Sequence, residues 1–246
     1  MAIPGSDGSC YNENYYRSSC GVSDYVHNPA IKAFFQRIAR DIRQRFAPRT
    51  VLDAGCACGH LVRALREIGI EAYGIDISEY AVGMAAPEIR DYCRAGSLTE
   101  PLPPGLPERY DLAVNIEVLE HIPEAGALAA LERLTGYSDR ILFSSSPDDV
   151  AEATHVNVHE LEYWIGAFAA AGFRVREDCR FACVAPQCLV FERSDGPVDA
   201  KAECSRLLWR LARDCFELDG RCRMFSESIF GRMERRYHAI RRIIGR

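Results

Sequence analysis

VLDAGCACGHL, residues 51–61, decides the fold. It follows an amphipathic stretch and Pro48, and it reads as a short apolar strand, a glycine-rich turn and the start of a helix. Gly55 and Gly59 let the backbone approach a ligand closely, where a Cβ would clash. The helix that begins near His60 presents free N–H groups to the same turn. Asp76 closes the next strand, twenty-one residues after Gly55, where a carboxylate takes two ribose hydroxyls. A nicotinamide cofactor would call for G-x-G-x-x-G, but this loop is G-C-A-C-G, with Ala57 where a middle glycine would stand. Asp53 sits inside the strand end, and a carboxylate beside the loop suits a positively charged ligand terminus better than a phosphate.

On either side of this turn, strand and helix signals alternate. IKAFFQRIARDIRQRF (31–46) carries Ile31, Phe34, Phe35, Ile38, Ile42 and Phe46 at helical period, after Pro29 and before Pro48. TVLDAG, EAYGIDI, DYCRAG, YDLAVNI and DRILFSSS predict five strands. HLVRALREIG, YAVGMAAPEI, ALAALERLTG and LEYWIGAFAAAGF predict helices, three of them closed by Gly69, Gly136 and Gly172. FRVREDCRF and QCLVFER predict a closing pair of strands. The fold class is therefore α/β, a doubly wound, mostly parallel sheet that binds ligands beyond the carboxyl ends of its strands. Three regions are expected: a lid segment and helix over 1–47, a cofactor-binding core over 48–194, and a helical extension over 195–246.

The chain has 246 residues, enough for one sizeable domain and an appended element. No apolar run reaches the ~18 residues of a membrane span. The start, MAIPGSDGSCYNENYY, lacks the basic and apolar regions of a secretory signal. Eleven cysteines, odd in number and irregularly spaced, imply free thiols in a reducing cytoplasm. Cys56 and Cys58 have no second pair at zinc-site spacing. The net charge of −5 argues against nucleic acid as partner, although arginines cluster from Arg206 to Arg246. That cluster reads first as a solvated helix face, and second as a surface for an anionic ligand or a partner subunit. The apolar stripe of Leu207, Leu208, Leu211 and Phe216 needs cover, either on the sheet domain or in a homo-oligomer interface.

VLDAGCACGHL, GIDIS and YDLAVNIEVLEHIP together resemble the class I S-adenosylmethionine-dependent methyltransferases, and more narrowly the type 11 group. HVNVHELEYWIGAFAAAGF adds the His-x-Asn and Trp segment that this group often carries before its sixth strand. The likeness covers about residues 48–193 and implies seven strands, the last antiparallel. It implies that Asp53, Gly55, Cys56 and Gly59 lie along the methionine part of the cofactor, that Asp76 holds the ribose, and that Ile77 packs on the adenine. Ser97 and Leu98 match the adenine-side loop, and Asn115 would sit near the methionyl group.

Methyl transfer from a sulfonium needs an aligned acceptor and a dry site. A hydroxyl acceptor also needs a general base or a metal. VNIEVLEHIP (114–123) sets Glu117, Glu120 and His121 into an apolar run, and a helical turn would bring them to one face at i, i+3 and i+4. In one reading His121 is the base, with Glu117 or Glu120 orienting its other nitrogen. In a second, Glu117, Glu120, His121 and His155 hold magnesium or another divalent metal, with His159 a further candidate. The E-x-x-E-H portion resembles ubiquinone-pathway O-methyltransferases, and with the downstream His it resembles small-RNA 3′-terminal 2′-O-methyltransferases. In a third, the three residues are structural. Tyr11, Tyr15, Tyr16 and Arg17 belong to a lid, from which Tyr16 is placed among the catalytic candidates. The expected activity is methylation of a small-molecule hydroxyl, on a sugar or natural-product intermediate. An amine acceptor, a metal-dependent RNA 2′-O-methylation and a non-catalytic scaffold are the alternatives.

Overall fold

The computed structural model describes residues 8–179, 181–211 and 213. Two compact units divide the chain, Met1–Ala200 and Lys201–Arg246. The first therefore takes in the expected lid as well as the core, and it ends at 200 rather than at 194. Of the second, residues 201–211 and 213 are helical; Phe216 and the arginines from Arg221 onward lie outside the described residues.

Seven strands form one sheet in the order β3-β2-β1-β4-β5-β7-β6. They are β1 (Thr50–Ala54), β2 (Glu71–Asp76), β3 (Cys93–Ala95), β4 (Leu112–Ile116), β5 (Arg140–Ser144), β6 (Phe173–Val175) and β7 (Leu189–Arg193). The first five pair in parallel, while β7 runs antiparallel to both β5 and β6. The helices are α1 (Glu13–Ser18), α2 (Pro29–Phe46), α3 (His60–Glu67), α4 (Glu79–Gly83), α5 (Glu124–Tyr137) and α6 (Leu161–Ala170). Strand–helix alternation puts helices on both faces, and the central strands are buried along almost their whole length. No helix among the described residues is long and apolar enough to cross a membrane.

α2 starts where Asn28 accepts the Ala30 N–H and Pro29 fits the first turn, and it stops at Ala47, which is left-handed. Its Ile38 and Ile42 are wholly buried against the sheet core. Three elements differ from the sequence pattern. The helix expected over 80–89 is only α4, because Gly83 weakens it and Pro87 bars the preceding residue from helical geometry. α5 runs through Gly136 to Tyr137 rather than closing on it. The strand expected over 173–181 stops at Val175, and the following loop returns the fully buried Phe181 to the core.

The sheet's far side is held by aromatic packing. Phe143 of β5 is completely buried between Trp164 (5.3 Å between ring centres) and Phe168 (5.2 Å) of α6. Phe143→Ala is expected to cost about 3–5 kcal/mol of stability. Urea denaturation checks this, and an unchanged midpoint would show that the cluster does not hold α6 to the sheet. Nine of the cysteines are described, and five of them, Cys56, Cys58, Cys93, Cys179 and Cys188, are buried.

Candidate active site

A cavity of about 740 Å³ opens beyond the carboxyl ends of β1, β2 and β4. Its floor begins at Gly55, whose φ of +98° few side chains adopt. A Cβ there would lie 2.3 Å from Val118 Cγ2, so only glycine permits the approach of the loop after β4. Ala57 takes a left-handed φ of 48° without being glycine, and its N–H donates to Asp76 Oδ2 at 2.7 Å. Ser78 N–H donates to the other oxygen, Oδ1, at 2.8 Å. One carboxylate thus pins the β1 loop to the end of β2. Burial pushes the Asp76 carboxyl up, and these two N–H donors oppose the shift.

Of the residues expected at a cofactor, Gly55, Asp76, Ile77, Ser97 and Leu98 line this cavity. Asp53, Cys56, Gly59 and Asn115 stand behind the wall. Asp53 is almost fully buried in β1, and burial, with the Asp76 charge beside it, pushes its carboxyl up to about 8. Cys56 is buried, and its Sγ donates to Ala57 O at 3.6 Å. Gly59 caps α3 in a left-handed conformation. Asn115 is wholly buried, and its Nδ2 donates to Ala54 O at 2.8 Å, which ties β4 to the end of β1.

The lid residues cover the opening. Tyr11, Tyr15, Tyr16 and Tyr25 line the cavity, whereas Arg17 points away and pairs with the exposed Glu13. Ser78 Oγ donates to Tyr11 O, and His60 Nε2 lies 3.1 Å from Tyr25 O, so the lid is fastened to α3 and to the turn before α4. Burial raises the phenols of Tyr11, Tyr15 and Tyr16 well above the ordinary range. Tyr16 therefore stays protonated, and in that form it does not act as a base.

The segment after β4 is not the helical turn the sequence suggests. Glu117 is left-handed (φ 51°), and only Leu119–His121 make a single 3-10 turn. Strain of this kind collects at functional sites. Glu120 and His121 nonetheless converge, with His155 as the third donor, and Glu117 stands outside that group. Glu117 lines the cavity and accepts from Gln187 Nε2 at 3.3 Å. Glu120 is wholly buried; Ser146 N–H reaches its Oε1 at 3.4 Å, and its Oε2 has no hydrogen-bond partner. Burial, then the charge of Glu117, pushes the Glu120 carboxyl far up.

His121 lines the cavity beside His155, with ring centres 4.6 Å apart. Thr154 Oγ1 donates to Glu152 Oε1 at 2.6 Å, so its oxygen is left to accept from His121 Nδ1, 3.1 Å away. The carbonyl of Thr154, 3.3 Å from the same nitrogen, can only accept. The proton therefore sits on Nδ1 and the lone pair on Nε2. Burial, reinforced by His155, pulls the imidazole pKa down to about 4. Tyr15 Oη donates to Glu152 Oε1 at 2.9 Å, and His155 Nε2 lies 3.5 Å from Glu152 Oε2. Sequence reading missed Glu152 and Asp149, because nothing in the composition of DDVAEATH (148–155) marks a polar loop as part of a cleft.

Among the described residues, two groups of side chains have donor atoms close enough to share an ion: Glu120, His121 and His155, and Asp149, Glu152 and His155. Glu117 is in neither. His159 is outside the cavity wall, bonded to Asn157 Oδ1 at 2.8 Å and stacked on Tyr163.

The methyltransferase domain family matches residues 27–178, which is more than half of the chain. This chain belongs to that family, within the class I S-adenosylmethionine-dependent group. The chain is 35% identical over 108 residues to a ubiquinone biosynthesis O-methyltransferase of Methylococcus capsulatus, covering 40% of this chain and 44% of that protein. It is also 35% identical over 99 residues to a magnesium-protoporphyrin O-methyltransferase of Synechocystis, covering 39% and 43%. The chain thus spans less than half the length of these curated relatives. Among solved structures it resembles magnesium protoporphyrin IX methyltransferase from Synechocystis with bound S-adenosylmethionine, at a TM-score of 0.56 and 21% identity over 79% of this chain and 99% of that one. A Burkholderia thailandensis 1,6-didemethyltoxoflavin-N1-methyltransferase gives a TM-score of 0.57 at 19% identity, over 79% and 92%. These two likenesses bear on the fold of the chain.

Proposed function

We propose that the protein transfers the methyl group of S-adenosylmethionine to a hydroxyl of a small molecule, with His121 as general base. The observation that carries this reading is the tautomer of His121: a neutral imidazole on the cavity wall with its Nδ1 proton directed at Thr154 and its Nε2 lone pair free. Gly55, Asp76, Ile77, Ser97 and Leu98 form the shelf for the cofactor. When bound there, S-adenosylmethionine would supply an electrophilic methyl whose S–C bond breaks as the acceptor's O–C bond forms, leaving S-adenosylhomocysteine, and His121 Nε2 would take the acceptor hydroxyl's proton. Thr154 and Glu152 then stabilise the imidazolium. The lid tyrosines exclude water, which leaves the methyl exposed to the acceptor alone. O-methylation is also what the names of the two curated relatives state. The net charge of −5 supports a small molecule over nucleic acid as partner.

A metal-assisted version rests on a different observation, the orphaned and buried Glu120 Oε2 next to two imidazoles. Glu120, His121 and His155 would hold a divalent ion of the magnesium, manganese or iron class, whose charge would take the place of the proton that burial keeps on Glu120. Such an ion would polarise the acceptor oxygen. Turnover in EDTA, followed by readdition of magnesium or manganese, separates the two versions. With His121 acting alone, activity persists in chelator; loss in chelator with recovery on readdition would replace that mechanism with the metal.

The reading as a whole is tested by titrating S-adenosylmethionine calorimetrically. Binding is expected, and absence of binding would leave only a scaffold.

A further inference from the structure

The walls of the cavity define the acceptor more narrowly than a small hydroxylated molecule. From His121 a continuous arc of rings runs along the lid: Tyr11 is 5.7 Å from His121, Tyr15 is 5.1 Å from Tyr11, Tyr16 is 5.2 Å from Tyr15, and Tyr25 is 5.8 Å from Tyr16. Through His60 the arc continues to Phe35 and Phe34 on the first turns of α2. Apart from His60, every ring in this series lines the cavity. Ile31 joins Phe34 and Phe35 there because positions i, i+3 and i+4 share a helix face. Ring faces and edges of this kind take up planar apolar molecules and cations. They offer few partners to the hydroxyls of a sugar, and a polar group buried without partners is penalised.

The side chains of fixed charge in the same wall are all carboxylates, and they stand beside the imidazoles of His121 and His155. Asp76, Glu117, Asp149 and Glu152 line the cavity, and no lysine or arginine does so among the described residues. Asp76 is occupied by Ala57 and Ser78, and Glu152 by Tyr15 and Thr154. Asp149 stands half-exposed, its nearest cationic partner being His155 Nδ1 at 3.8 Å. A carboxylate or phosphate on an acceptor would meet like charge in a partly desolvated space and find no lysine or arginine to pair with.

Resting on the methyltransferase reading above, we infer that the acceptor is a planar, aromatic hydroxyl compound that is uncharged or cationic, and that Asp149 selects against anions. The preference is set by the wall, so it belongs to binding as well as to turnover.

The test uses the full chain saturated with S-adenosylhomocysteine and four probes: dopamine (cationic), 4-methylcatechol (neutral), 3,4-dihydroxybenzoate (anionic) and methyl α-glucoside. Calorimetric titration is expected to show dopamine and 4-methylcatechol binding at least tenfold more tightly than the other two. Asp149→Asn is expected to narrow the gap between dopamine and 3,4-dihydroxybenzoate several-fold while S-adenosylhomocysteine binds as before. The inference is overturned if the anion or the glucoside binds as well as 4-methylcatechol, or if none of the probes binds to a protein that has bound S-adenosylhomocysteine. Failure to bind S-adenosylhomocysteine itself would overturn the methyltransferase reading and this inference with it.

Discussion

His121→Ala is expected to lower methyl transfer by roughly 10²–10⁴-fold, the range for loss of a positioned general base. Cofactor affinity should change little, because His121 is not part of the proposed cofactor shelf of Gly55, Asp76 and Ile77. kcat should therefore fall much more than KM rises, the signature of a contact made in the transition state. The pH profile gives a second readout. Burial and the neighbouring His155 lower the His121 pKa from the ordinary 6.5 to about 4. The base is then neutral down to about pH 4, and the acid limb of the wild-type rate profile should lie there. The same shift bears on stability. In the window from 6.5 down to about 4 the unfolded chain takes up a proton that the folded one refuses, so this contribution rises with pH and is lost as pH falls through the window. A His121→Ala enzyme with near-normal kcat would remove the imidazole from the chemistry.

How much of this was legible depends on whether a feature is local in sequence. The strand, turn and helix of VLDAGCACGHL carry their own signals, in apolar period and in two glycines, and the structure has β1, Gly55 and α3 where those signals place them. Asp76 was legible because a strand end and a fixed spacing locate it. The orientation of Glu117 was not. Helical spacing predicted a shared face, but Val118 has to fill the space above Gly55, and this turns Glu117 left-handed and Glu120 inward. That constraint joins residues more than sixty positions apart. The partners of His121 were hidden for the same reason: Thr154 reaches it from the loop after β5, Glu152 holds Thr154, and Tyr15 reaches Glu152 from the lid. The lid itself was visible as a polar, tyrosine-rich segment. Its integration with the core was not, since Tyr11, Tyr16 and Val26 become buried only on meeting Cys58 and Ala81.

Asp76→Ala should act on affinity where His121→Ala acts on rate. The carboxylate already accepts from Ala57 N–H and Ser78 N–H, and its remaining lone pairs face the cavity where the ribose hydroxyls are proposed to bind. Two hydrogen bonds to a charged acceptor contribute about 1.5–3 kcal/mol each, so their joint loss corresponds to roughly 10²–10⁴-fold weaker cofactor binding. The substitution also frees both backbone donors, which loosens the β1 loop against β2 and adds to the loss. Asp76→Asn is not a gentle replacement: its amide keeps one acceptor oxygen and turns an NH₂ toward a backbone N–H, so it should retain at most one of the two pins. Because the ribose is held alike before and during transfer, the contact is uniform binding. The cofactor KM should then rise by about the same factor as the dissociation constant, with kcat changed much less. Calorimetric titration with S-adenosylhomocysteine beside steady-state kinetics separates these quantities. An affinity within threefold of wild type would place the ribose elsewhere in the cavity, and a fall in kcat at unchanged affinity would make Asp76 part of the chemistry instead of the shelf.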